Sequence, residues 1–243
     1  MEKQLWQTLN ADQRAIVERT CALRAELAAL ARDPARPPRL LPVTKTQPVE
    51  RIRPLLCAGI TEIGENRVQE ILEKYPALGS DFSIHLIGRL QTNKIKYIIG
   101  RACFVQSLDR PELAQALDRR AQSAGICMPV LLEVNIGGEA QKAGVSPEEV
   151  EAFARTCARL PGLSVRGLMA VMPATDHPEA LRPLFQAMRG LYERLRDAAI
   201  EGVRMEELSM GMSGDWRIAA QEGATVVRVG SAIFGPRSAA PRA

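Results

Sequence analysis

Short apolar runs alternate with longer stretches of helical spacing along most of the chain. The runs fall at residues 40–43, 60–63, 82–87, 102–105, 130–136, 163–169, 205–210 and 225–233. Continuous apolar runs of this length predict strands buried on both faces, the signature of parallel sheet rather than half-solvated hairpins. Helix-start chemistry lies between them. Pro48 opens one segment, which Pro54 is expected to shorten or kink; Asp109 and Pro111 open a second, and Ser146-Pro147-Glu148-Glu149 a third. Gly59, Gly100, Gly125 and Gly202 stand where helix C-caps are expected. In front, an amphipathic segment over 3–31 carries Leu5, Leu9, Ile16, Leu23 and Leu27 at helical spacing and ends at Asp33-Pro34 and Pro37-Pro38. Such a stripe covers a flank of the chain's own fold or offers a face to a partner.

Eight strand–helix units in about 200 residues fit a single (β/α)8 barrel with an extra N-terminal helix. Periodicity does not reveal closure, so an open doubly wound sheet is the alternative. No GxGxxG follows the first strand and no GxxxxGK[ST] loop occurs. The division read from the sequence is an N-terminal helix over 1–36 packing on the barrel, the barrel over 37–237 and a tail over 238–243.

Length and composition agree with one globular domain: 243 residues, 46% hydrophobic and 25% charged. A net charge of +4 with no basic block, and only 4% aromatic residues, weigh against nucleic acid as a partner. Five scattered cysteines without a CxxC pair predict reduced thiols, and His85 and His177 are too few for a Cys/His zinc site. The N-terminus has no apolar signal region and no run is long enough to span a membrane, so a cytoplasmic protein is expected.

A barrel places its chemistry at the C-terminal ends of its strands. Those ends hold Thr44-Lys45-Thr46, Gly64-Glu65-Asn66, His85 to Gly88, Gln106-Ser107, Asn135, Met169, the turn 209–213, and Arg228-Val229-Gly230-Ser231. Lys45 stands out because the chain's 32 cations comprise only six lysines beside twenty-six arginines. Desolvating an ammonium favours the neutral amine, a nucleophile toward an aldehyde; a strand-end lysine that snorkels to solvent is the competing reading. The Gly/Ser turns at 209–213 and 230–231 are either an anion cradle or turn formers only. Arg228, among apolar neighbours, needs a partner. One choice is a pyridine nitrogen, which a permanent cation keeps unprotonated; the other is a salt bridge to Glu133 or Glu206.

The segments LPVTKTQP, GITEIGENRVQE, HLIGRLQTNK, EVNIGGEAQKAGV, GLMAVMP and LSMGMSGDWRIAAQEGATVVRVGSAIFG, in that order over 40–237, resemble the pyridoxal phosphate homeostasis proteins. Those proteins are similar to the barrel domain of alanine racemase, with fold-type III cofactor binding. The resemblance implies pyridoxal 5′-phosphate (PLP) held as an internal aldimine and no conventional catalytic activity. It also implies a role as carrier or regulator of cofactor supply, and in amino-acid and keto-acid balance, by reversible aldimine formation. Carried over residue by residue, it implies Lys45 as the Schiff-base lysine, Asn66 and His85 beside the ring and Met169 beneath it. Ser209, Met210, Gly230 and Ser231 would hold the phosphate, Arg228 would meet the pyridine nitrogen, and Lys142 matches a secondary or transfer position. Two positions depart from the family pattern: Arg67 stands for a usual Tyr and Gln47 for a usual Lys.

The alternatives are a weakly active amino-acid racemase of the same fold class, a barrel binding another phosphorylated metabolite without a covalent bond, and an interaction module. Racemisation needs a proton acceptor on each face of the substrate carbon, and Tyr75, Tyr97 and Tyr192 all fall in helical segments. The expected partners are PLP and, as recipients, apo forms of PLP-dependent enzymes; a monomer is expected.

Overall fold

The computed structural model describes residues 2–235, so the tail over 238–243 and the last residues of the 37–237 unit lie outside the described residues. Two helices come first, α1 (Glu2–Thr8) and α2 (Ala11–Leu30). The strands are β1 (Arg39–Pro42), β2 (Glu62–Glu65), β3 (Ser83–Leu86), β4 (Ala102–Leu108), β5 (Met128–Glu133), β6 (Leu163–Met169), β7 (Val203–Ser209) and β8 (Val226–Val229). The helices among them are α3 (Val49–Ile52), α4 (Val68–Leu78), α5 (Ile95–Ile98), α6 (Pro111–Ser123), α7 (Val150–Cys157), α8 (Arg182–Asp197), α9 (Trp216–Gln221) and α10 (Ser231–Phe234).

All strands pair in parallel, in the order β1-β8-β7-β6-β5-β4-β3-β2. β1 and β8 share four register pairs, from Arg39↔Val226 to Pro42↔Val229, whereas β7 and β8 share only Ser209↔Val226. The seam between β1 and β2 is a single bridge, Val43↔Gly64, and a hydrogen bond from the Thr44 N–H to the Gly64 carbonyl at 3.0 Å. The ring is thereby nearly closed, and the (β/α)8 barrel predicted from the apolar runs is the observed architecture.

Alternation along each strand sorts the side chains into two sets. Ile63, Ile84, Leu86, Val130, Leu132, Leu168, Leu208, Val227 and Val229 are buried in the main hydrophobic cluster between strands and helices. The intervening residues Leu41, His85, Gln106, Glu133, Ser209 and Arg228 turn toward the barrel axis and are also buried. α2 lies against the outside of this assembly with Ile16, Val17, Thr20, Leu23 and Leu27 buried. It is tied down by Arg19 Nε to the Ile233 carbonyl (2.6 Å) and Gln13 Nε2 to the Glu50 carbonyl (2.8 Å).

Several boundaries differ from the sequence reading. The opening segment is two helices, because Asn10 and Gln13 form a reciprocal capping box that starts α2 afresh. The second strand begins at Glu62 instead of Ile60, since the Ile60 N–H closes the preceding turn on the Leu55 carbonyl after Gly59 at φ 67. The fifth stops at Glu133, beyond which Val134 bridges Val145. The last apolar run, 225–233, is strand only to Val229; beyond Gly230 it coils into α10. Pro54 does shorten its helix: α3 gives way to a 3₁₀ segment over Arg53–Ala58. Gly100, Gly125 and Gly202 have the positive φ expected of helix ends.

Gly167 sits at the register shift between β6 and β7 with φ 147, and a β-carbon there would lie 1.8 Å from the Glu207 carbonyl oxygen. Backbone cannot yield as a flexible side chain can. Gly167→Ala is therefore expected to cost about 3 kcal/mol or more, read as a lowered urea midpoint, or to yield no folded chain. A midpoint equal to that of the unsubstituted chain would mean that the two strands separate freely at this point.

Candidate functional site

A cavity of about 340 Å³ opens where the C-terminal ends of β1 and β8 meet the turn after β7, lined among others by Lys45, Gln47, Met212, Ser213, Arg228, Gly230 and Ser231. The parallel barrel brings these residues together because every strand delivers its C-terminal end to the same rim. Gly230 ends β8 beside Val43, and its N–H donates to Ser213 Oγ at 3.2 Å, which fixes the two Gly/Ser turns against each other. The first turn of α10 leaves its leading N–H groups without intrahelical acceptors, so that end of the cavity is polarised toward negative charge.

Lys45 is half-buried and occupies a tight turn closed by the Gln47 N–H on the Thr44 carbonyl at 3.0 Å. The next residue, Thr46, lies at φ 63. A β-branched residue in the left-handed region costs about 1–3 kcal/mol and persists only where its surroundings dictate it. Here α4 supplies them. Glu70 Oε2 accepts the Thr46 N–H at 2.6 Å, and Lys74 Nζ donates to the Thr44 carbonyl (2.7 Å), Glu65 Oε1 (2.7 Å) and Glu70 Oε2 (2.9 Å). Thr44 Oγ1 donates to Glu65 Oε1 at 2.5 Å. Burial pushes the Glu65 carboxyl up, against the pull of Lys74 and Thr44. At Glu70 the effect of burial is outweighed by the bonds from Lys74 and the Thr46 N–H, and its carboxyl is held below the usual range.

Arg228 is 3% exposed and makes no salt bridge to either glutamate considered in the sequence reading. Glu206 pairs instead with Arg166, and Glu133 acts on Arg228 only through its field. The guanidinium donates to Ser209 Oγ (2.5 Å) and the Ala170 carbonyl (2.8 Å). Burial pulls it down to about 10, opposed by Glu133 and Asp215, so it remains a cation at neutral pH. Glu133 is pushed up to about 7 by burial and by Asp109. Behind Ser209, the Gln106 amide bridges Ser209 Oγ (2.7 Å) and His85 Nδ1 (3.1 Å), and His85 stacks on Phe104 at 5.2 Å between ring centroids. A line of polar side chains thus runs from the cavity into the barrel interior.

Of the residues singled out in the sequence, the cavity gathers Lys45, Arg228, Gly230 and Ser231. Ser209, with no exposure, is bonded to Arg228 and Gln106 beneath the cavity; Met210, Met169 and His85 are likewise buried and are not among its lining residues. Asn66 lies with Arg67 on the wall of a separate groove of about 890 Å³ that includes neither Lys45 nor Arg228. Lys142 is ion-paired with Glu139 and donates to the Met172 carbonyl at 3.0 Å, also outside the cavity lining. Ser213, part of the 209–213 turn read as a candidate anion cradle, does line the cavity, whereas sequence reasoning missed the Glu65–Glu70–Lys74 cluster. The signal for the cluster was the i,i+4 spacing of Glu70 and Lys74 on α4. Among the described residues no group of three or more His, Cys, Asp or Glu could hold a metal ion.

With that geometry in place, three comparisons bear on the site. Residues 19–238 match the family described as "Alanine racemase, N-terminal domain". The "Pyridoxal phosphate homeostasis protein" of Aquifex aeolicus is 45% identical over 200 residues, covering 82% of this chain and 87% of that protein. The protein of the same description from Pseudomonas aeruginosa is 39% identical, covering 88% and 91%. Among solved structures, PipY of Synechococcus elongatus with PLP bound aligns at a TM-score of 0.79 and 34% identity, covering 90% of this chain and 100% of that one.

The buried His85 generates a pH prediction. Burial pulls the imidazole down, but the Cys103 thiol and the Glu62 carboxylate outweigh it and hold it at about 9, against an ordinary 6.5. A group raised on folding contributes stability that is whole below its unfolded value and lost as pH rises through the folded one. The urea midpoint should therefore fall between pH 6.5 and about 9, with His85→Gln removing that fall. An unchanged slope in the variant would assign the fall to other groups.

Proposed function

Because the chain belongs to the pyridoxal phosphate homeostasis proteins, within the alanine racemase N-terminal-domain family, we propose that it binds pyridoxal 5′-phosphate covalently at Lys45 and acts as an intracellular carrier or regulator of that cofactor. The observation that carries the reading is the meeting of Lys45, Arg228 and the two Gly/Ser turns at one cavity of small-molecule size. This donor set fits the cofactor. A primary amine on the wall suits an aldehyde, the hydroxyls of Ser213 and Ser231 suit a phosphate over the close-set Gly230, and a buried guanidinium suits a ring nitrogen.

When bound, pyridoxal phosphate supplies an electrophilic aldehyde and an aromatic ring able to withdraw electrons. The chain's own residues set the limits on that chemistry. Lys45 presents its amine from a turn fixed by hydrogen bonds, so its approach is preorganised. Arg228 has only donors to offer, and Ser209 and the Ala170 carbonyl fix their direction, so a nitrogen facing it stays unprotonated. That weakens electron withdrawal and favours holding the cofactor over transforming a substrate with it.

The racemase reading requires a second proton acceptor opposite Lys45. Tyr75, Tyr97 and Tyr192 lie on α4, α5 and α8 and do not line the cavity. Five cysteines outside any disulfide support a reducing, cytoplasmic setting, and no helix of the described residues is long and apolar enough to cross a membrane. Apo-enzymes as recipients of the cofactor follow from the carrier role.

The test is absorption of the purified chain with added cofactor, then borohydride reduction and peptide mapping. A pyridoxyl group on the peptide carrying Lys45, lost in Lys45→Ala, is expected. Arg228→Met should bind about tenfold more weakly, the size of one charge-assisted hydrogen bond. A chain that stays unlabelled overturns the covalent reading, and turnover of amino-acid enantiomers would favour the racemase.

A further inference from the structure

α4 packs outside the barrel, yet its two ionisable residues facing β1 make their bonds to the peptide groups flanking one residue, Lys45. We infer that Glu70 and Lys74 are positioning residues that hold the Lys45 turn in the backbone geometry from which its amine faces the cavity. The inference rests on the reading of Lys45 given above.

An ammonium has three protons to donate, and Lys74 has three acceptors within 2.9 Å: the Thr44 carbonyl, Glu65 Oε1 and Glu70 Oε2. Its side chain is only 9% exposed. A lysine that merely covered a helix surface would lead its charge to water. Here the charge goes inward, and one of its bonds ends on the backbone just before Lys45. Glu70 completes the grip from the other side, since the oxygen that accepts from Lys74 also accepts the Thr46 N–H at 2.6 Å. The two peptide groups bracketing Lys45 are thereby joined through one ion pair.

Thr46 at φ 63 occupies a conformation that a β-branched residue disfavours, so the turn needs an external restraint to stay populated. Glu65 supplies the base of the restraint: it is fully buried, both of its hydrogen bonds fall on Oε1, and Oε2 has no hydrogen-bond partner. Burying a carboxylate on these terms is costly, and the nearby cation compensates it. A simple helix-to-sheet anchor would be served as well by an apolar contact, without an ion pair directed at a strained turn.

The anchor and the positioning role separate experimentally. In the wild-type chain, borohydride mapping first establishes the label on Lys45. Glu70→Ala removes the acceptor for Thr46, whereas Glu70→Gln keeps one. Glu70→Ala should raise the dissociation constant for pyridoxal phosphate about tenfold and speed hydrogen exchange of the Thr46 amide well beyond that of amides elsewhere in the barrel, which track any fall in overall stability. Glu70→Gln should restore most of both. Adding Thr46→Gly to Glu70→Ala should recover part of the affinity, because glycine adopts the turn unaided. Lys74→Met should behave as Glu70→Ala if it folds, and the Glu70 series decides if it does not. Unchanged affinity and exchange in Glu70→Ala, with Lys45 labelled in the wild type, would overturn the positioning role alone. An unlabelled Lys45 in the wild type would instead remove the reading on which it stands, while the exchange of the Thr46 amide still reports whether Glu70 holds the turn.

Discussion

A permanent positive charge inside a barrel is the constraint around which the interior is arranged. Arg228 cannot shed its proton at neutral pH, and an unpaired guanidinium in that setting would be untenable. Ser209 and the Ala170 carbonyl take its hydrogen bonds, while Glu133 and Asp215 supply a compensating field without touching it. Ser209 can accept from Arg228 because its own hydroxyl donates to the Gln106 amide oxygen, and the Gln106 amide nitrogen in turn meets His85 Nδ1. Four strands are therefore committed to one side chain from β8. The same side chain reaches the cavity, so the interior polar line and the ligand site are one system.

The rest of the site hangs on the neighbouring strand. β1 is only four residues long, and two residues beyond it the chain turns at Lys45 and Thr46 on the rim. No intrinsic preference of Lys-Thr makes that turn. It is held from outside by Glu70 and the buried Lys74 of α4, against the buried Glu65 of β2. Local strain at Thr46, next to the cavity-lining Lys45, is thus offset by an electrostatic contact one layer away, an arrangement common where a reactive group must be aimed.

Much of this was legible in the sequence. Apolar runs located all eight strands, because a strand covered on both faces has no polar alternation to hide it. The chemistry at the strand ends pointed to Lys45, Arg228, Gly230 and Ser231, which share one cavity. What escaped has physical reasons. A run pattern cannot show which way a side chain points, so only folding reveals that Ser209 bonds Arg228 and that Gln106 links it to His85. Lys74 reads as one more cation on a helix; only folding reveals that it faces inward. The run 225–233 looks like one strand because apolar residues are needed equally by β8 and by α10, and Gly230 alone marks the change. The partners of Asn66 and Lys142 depend on loop paths after β2 and β5, which strand periodicity does not encode.

The uneven pairing of the ring has a mechanical meaning. β8 is joined to β7 by one register pair and β1 to β2 by one bridge, yet β1 and β8 are joined to each other along four residues. The barrel is built like a cask in which two neighbouring staves are glued along their whole length. The flanking joints are short in register but not slack: three backbone hydrogen bonds tie β8 to the end of β7 and the turn beyond it, and Thr44 bonds across to Gly64 and Glu65. Lys45, Arg228, Gly230 and Ser231 are all fastened to the glued pair or to its end. The spacing among amine, guanidinium and turn is thus gauged by one four-rung ladder, as the marks on a ruler are kept by the ruler itself.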